Sequence, residues 1–189
     1  MTSRGLAQTA RPAAQRSGRT RTGTRTGSSG AVHVDLQKRV RAWAPRRADI
    51  ASWAGEALGR RAANREVSVR LVGRAESRKL NAHYRGKDYA TNVLSFPALP
   101  AAIAPKSSDA TQPLGDLVIC PPVLRVEARE QRKTLRAHWA HLVVHGSLHL
   151  IGYDHEDDAD AQRMERREIA VLRKLGFTNP YRWSEGIED

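Results

Sequence analysis

From Val32 onward the apolar positions form short alternating runs and longer helical stripes, whereas residues 1–30 show neither. Val32-His33-Val34-Asp35-Leu36 alternates and predicts a strand. Over 47–63, Ile50, Trp53, Ala54 and Leu58 share one helical face, with Asp49 near the start. Val67, Val69 and Leu71 alternate with Ser68, Arg70 and Val72 and predict a half-buried strand. Glu76 to Tyr84 reads as a short helix, and Asn92 to Ser95 as a short strand stopped by Pro97. Four prolines and many small residues make 97–113 a loop. Leu117 to Cys120 is a further strand, separated by Pro121 and Pro122 from a helix at 123–132.

Two long helices follow. In the first, about 134–151, Leu135, Trp139, Leu142, Val143 and Leu150 line one side, and Val144 and Leu148 lie on the other. A helix apolar nearly all round is buried in a domain core. The second spans about 158–175, with Asp157 or Asp158 as N-cap, Gly176 as its stop, and Met164, Ile169, Val171, Leu172 and Leu175 as its core face. There is no internal repeat. Strands and helices intermix, so the expected class is α/β (or α+β): one compact domain over 31–183 with a small mixed sheet, followed by a tail at 184–189.

Residues 1–30 are rich in Arg, Thr, Ser and Gly and poor in large apolar side chains, so they cannot bury enough surface to offset their ordering entropy. They are expected to form a disordered basic extension. The chain carries a formal net charge of +12, half of it from the six arginines of this extension, which contains no acid. A basic body of this kind points to a polyanionic partner, nucleic acid before membrane. No apolar run reaches about 18 residues, so no membrane span is expected, and no apolar core of a secretory signal follows the N-terminus. Together with a single cysteine, this points to the cytoplasm. Cys120 ends an apolar run and reads as a small buried hydrophobe.

The chemistry is concentrated in His145-Gly146-Ser147-Leu148-His149-Leu150-Ile151-Gly152-Tyr153-Asp154-His155. On a helix, His145 and His149 leave the same face one turn apart, close enough for two imidazole nitrogens to meet one metal. Gly152 offers a left-handed cap after which the chain can turn back and bring His155 to the same ion. Three protein ligands leave a fourth position open, as in catalytic rather than structural zinc. The expected ion is Zn2+, one per chain, although three histidines also suit nickel, cobalt or iron. Asp154 is a candidate to orient a ligand ring, or an ordinary turn residue. The spacing equals the metalloprotease pattern H-E-x-x-H-x-x-G-x-x-H, except that Gly146 replaces the glutamate base. Gly146 is expected instead to permit close helix packing. His138 and His141 share the histidine stripe and are expected to line the cleft or pack, with His141 a weaker substrate-binding candidate.

Tyr84-Arg85-Gly86-Lys87-Asp88-Tyr89-Ala90-Thr91-Asn92-Val93-Leu94-Ser95-Phe96-Pro97, then Gly115-Asp116-Leu117-Val118-Ile119-Cys120, then the histidine cluster, resemble the motifs of the YbeY family in the same order. The resemblance covers roughly residues 32–180. It implies a compact α/β domain, a zinc held by His145, His149 and His155, and single-strand-specific endoribonuclease activity with Arg85 as a catalytic residue. It also implies 16S rRNA 3′-end maturation, ribosome quality control, and partners in ribosomal RNA and the small ribosomal subunit with its proteins, with no DNA or membrane. The residues agree on their own chemistry. Tyr84 to Asp88 reads as a turn after a short helix, and an arginine there can clamp phosphate bidentately, with Lys87 as a weaker phosphate contact. Asp88 and Thr91 are expected to shape the turn. Two other readings stand beside the nuclease: a non-catalytic ribosome assembly factor with structural zinc, and a metal-dependent peptidase or amidase.

Overall fold

The computed structural model describes residues 32–98, 111–154 and 157–182. The basic extension at 1–30, most of the 97–113 loop, His155 and the tail at 184–189 therefore lie outside the described residues. Four strands form one mixed sheet: β1 (His33–Lys38), β2 (Arg65–Leu71), β3 (Val93–Pro97) and β4 (Gln112–Ile119). Their spatial order is β1-β2-β4-β3. The first three in that order are parallel, and β3 runs antiparallel on the β4 edge. Parallel neighbours need crossover connections. Helix α1 (Arg47–Leu58) supplies the first of these, and α2 (Arg74–Arg85) together with β3 supplies the second.

Strand alternation gives the sheet two unlike faces. Val67, Val69 and Leu71 of β2 pair with Gly115, Leu117 and Ile119 of β4, and all point to the main core. That face is covered by α1, by α4 (Leu135–Leu150) and by α5 (Asp158–Lys174). The opposite face holds a smaller cluster of Leu94, Val118 and Cys120 with Val72 and Val123, packed by Leu80 of α2. Cys120 is buried there, as its apolar flank implies, and burial pushes its thiol pKa up. Helix α3 (Pro121–Glu130) begins directly on the two prolines, whose missing N–H groups are no loss in a first turn.

Helix α4 is the central helix, packed against α1, α3, α5 and β3, which is why it is apolar nearly all round. Thr134 caps its start by accepting a hydrogen bond from the Ala137 N–H at 3.2 Å. Near its end, a Cβ on Gly146 would sit 2.8 Å from Leu117 Cδ2 and 3.2 Å from Ser95 Oγ. Glycine there lets the helix lie close on β3 and β4, and a glutamate side chain has no room at this position.

Three boundaries fall elsewhere than the sequence predicts. Strand β4 starts at Gln112, although the sequence predicts a loop through Pro113 and a strand only from Leu117. The register between β2 and β4 shifts at Glu66 and Val67, so the proline sits at a bulge, where a missing donor is tolerated. Pro97 likewise ends β3 inside the ladder rather than before it, on an edge strand with a single neighbour. Arg85, expected in a loop, is the last residue of α2, and Gly86 at φ 67° turns the chain after it.

Candidate functional site

The final turns of α4 project His145 and His149 together, with their Nε2 atoms 3.1 Å apart. Two donors on a tetrahedral ion at about 2.0–2.1 Å stand roughly 3.3–3.4 Å from each other. The pair therefore stands within a few tenths of an ångström of the separation that a shared zinc-like ion requires, and imidazole nitrogen is a donor such an ion takes. The helix then closes on Gly152 at φ 87°. The Gly152 N–H donates to His149 O at 3.0 Å and the Tyr153 N–H to Leu148 O at 3.1 Å, the paired bonds of a Schellman turn. That turn sends Tyr153 and Asp154 back along the cleft that His145 and His149 line. His155, the expected third ligand, follows directly but lies outside the described residues. Among the described residues no group of three or more His, Cys, Asp or Glu side chains is placed to hold a metal ion.

Behind the pair, Glu168 of α5 fixes His145. It is fully buried, and its Oε1 stands 2.7 Å from His145 Nδ1. An ionised carboxylate only accepts, so Nδ1 carries the proton and Nε2 of the neutral ring keeps its lone pair for an ion. Burial alone pushes the Glu168 carboxyl up, but its hydrogen bonds with His141 and His145 outweigh this and hold it at about 2. The second oxygen faces His141 Nε2 at 3.2 Å and accepts from the Tyr181 hydroxyl. Burial and the neighbouring Glu168 charge raise the Tyr181 phenol well above its usual range, so it remains a donor. Burial likewise lowers the His141 pKa despite the pull of Glu168. The structure sets His141 behind the site, and it is not among the residues lining the cleft.

The cleft has a volume of about 670 Å³ and runs along β3. Arg85 and Lys87 line it together with His145 and His149, alongside Tyr89 and Thr91. The loop carrying them is held from beneath. Buried Asn81 donates through Nδ2 to Tyr89 O at 2.9 Å. Buried Ser77 donates to Thr91 O at 2.8 Å and accepts from the Thr91 N–H at 3.0 Å. Asp88 pairs with Arg78 through two bonds of 2.6 and 2.5 Å, so Asp88 and Thr91 do shape the turn. At the start of β3, Asn92 donates to Glu127 at 2.9 Å, and Glu127 also faces His138 Nε2 at 2.9 Å. His138 is thus a packed, partnered residue.

The profile of the family described as Endoribonuclease YbeY matches residues 34–176. This chain belongs to the YbeY endoribonuclease family. A YbeY endoribonuclease of Pseudomonas entomophila (strain L48) is 52% identical over 150 residues, covering 79% of this chain and 93% of the relative. That of Stutzerimonas stutzeri (strain A1501) is 51% identical over 150 residues, covering 79% and 91%. A solution structure of TM1509 from Thermotoga maritima aligns with a TM-score of 0.48 at 21% identity, over 82% of this chain and 97% of that one. Glu168, Ser77, Asn81 and Tyr181 are absent from the sequence expectations for the site. A signal for Glu168 existed: it lies four residues from both Met164 and Leu172, a lone charge on the apolar stripe of α5.

Proposed function

We propose that this chain is a zinc-dependent, single-strand-specific endoribonuclease of the cytoplasm. In this reading it acts in 16S rRNA 3′-end maturation and ribosome quality control, with the small ribosomal subunit as its setting. The observation that carries the site is the convergence of two imidazole Nε2 atoms at 3.1 Å in a cleft that also holds Arg85 and Lys87. His145, His149 and His155 would hold the ion. When bound, zinc supplies Lewis acidity toward a phosphate oxygen and brings the pKa of water down to about 7.

The chain's own residues do the rest. Glu168 and Tyr181 form a buried brace that keeps His145 in the one tautomer able to bind an ion. Neutral histidine ligands leave the positive charge of the ion undiminished for an anionic substrate. Arg85 and Lys87 extend that positive field along the cleft, and neither is in an ion pair among the described residues. The planar Arg85 guanidinium offers two parallel donors to the charge that grows on the phosphate oxygens. Ser77 and Asn81 hold the loop that follows Arg85 from beneath, limiting the motion that would misplace the cations. Gly146 offers no carboxylate to deprotonate water, which weighs against the peptidase reading.

Arg85→Ala tests this reading. Loss of one donor to the developing charge is expected to lower kcat/KM on single-stranded RNA by about 10²–10³-fold. Circular dichroism and metal content should match the parent, because Arg85 is exposed at a helix end. Parent-like cutting by a folded, metal-loaded Arg85→Ala protein would remove Arg85 from the catalytic machinery, and parent-like cutting by a folded His149→Ala protein as well would move the reading to a non-catalytic assembly factor.

A further inference from the structure

A second groove lies at the other end of α4, away from the histidines. It measures about 390 Å³ and is lined by Trp43, Arg125, Ala128, Arg129, Lys133 and Leu135. Trp43 is 50% exposed, although Trp53 and Trp139 are buried in the core. An indole left half in water next to cations is a ready platform for a flat, electron-rich ring. Arg125 and Arg129 stand four residues apart on α3, where like charges repel unless something neutralises them. Among the described residues, neither arginine nor Lys133 is in an ion pair. On α3, the Glu127 carboxylate bonds to Asn92 and His138 and attracts Lys133 without pairing with it, and Glu130 does not line the groove. Three cations and an aromatic face in a groove whose lining holds no acid are what a single strand of nucleic acid needs: phosphates to the cations, a base on the ring.

We propose that this groove is a second single-stranded RNA subsite, in which a base stacks on Trp43 and flanking phosphates pair with Arg125, Arg129 and Lys133. The proposal rests on the reading of the chain as a ribonuclease and deepens it by giving the substrate a second grip. Leu135 and His145 are separated by about 15 Å of helix rise at 1.5 Å per residue. A strand of several nucleotides, the usual size of a single-strand binding site, is long enough to span that distance. The groove thus favours long single-stranded substrates over short ones, without touching the reacting phosphate.

The test measures binding of a fluorescein-labelled 2′-O-methyl oligouridylate, about 12 nucleotides long, to the full chain over a range of salt. Trp43→Ala is expected to weaken binding about tenfold, and Trp43→Phe to restore most of it. The double variant Arg125→Glu with Arg129→Glu should weaken it further and flatten the dependence of log affinity on log salt by roughly 1.4, about 0.7 per lost phosphate contact. Metal content, circular dichroism and cleavage of a short oligonucleotide that fills only the histidine cleft should stay at parent level. Parent-like affinity and salt slope in the folded variants would overturn the proposal. So would polyglutamate binding that needs the arginines as RNA does while Trp43→Ala leaves RNA binding intact, since the groove would then fit an acidic protein. If the parent cuts no RNA but the variants still lose affinity, the subsite stands and the nuclease reading fails.

Discussion

His149→Ala is expected to purify folded, without its zinc, and with RNA cleavage reduced by about 10³-fold or more. His149 is the penultimate residue of α4, is only half-buried, and its Nε2 faces that of His145. Alanine is the best helix former, so the helix loses nothing by the change. What disappears is one of the three proposed ligands. The several kcal/mol of charge stabilisation that a catalytic ion supplies then disappears with it, and each 1.36 kcal/mol is about a factor of ten in rate. Metal analysis and cleavage assays on the same sample check the pair of effects. An unfolded variant would instead point to a structural role for the ion.

Glu168→Gln is expected to weaken metal binding about 10–100-fold, the usual effect of losing a partner behind a histidine ligand. The amide keeps the volume of the carboxylate but replaces an acceptor oxygen with a donor nitrogen. His145 Nδ1, His141 Nε2 and the Tyr181 hydroxyl all direct protons at this group. A donor among them leaves a buried clash of N–H groups and frees the His145 ring to take the wrong tautomer. The protein should also melt earlier in its metal-free form. Titration of the variant with zinc against a competing chelator reads the affinity. Parent-like affinity would show that Glu168 is only a buried structural charge.

Much of the fold was legible because its signals are local. The helical stripe of α1, the alternation of Val67, Val69 and Leu71, and the all-round apolar character of α4 each follow from one element burying one kind of face. Gly152 announced the turn that sends Asp154 into the cleft, and the spacing of His145 and His149 announced their convergence. What escaped the sequence depends on contacts between elements. Pro113 belongs to β4 because a bulge opposite Glu66 and Val67 excuses its missing donor, and nothing near Pro113 reveals that bulge. Glu168 is distant in sequence from His145 and is flanked by Arg166 and Arg167, so it resembles one more surface charge until α5 lies against α4. His141 carries the same helical offset from His145 as His149 does, but Glu168 and Tyr181 take it up behind the site. Helical spacing names the residues that share a stripe, and the neighbouring helix decides which of them reach the cleft.

The measurement closest to the central claim is zinc stoichiometry and single-stranded RNA cleavage on one ribonuclease-free preparation, before chelation, after it, and after zinc is returned. The account predicts about one zinc per chain, loss of cleavage with the metal in a still-folded protein, and recovery on adding zinc back. Cleavage that survives complete removal of the metal would contradict it.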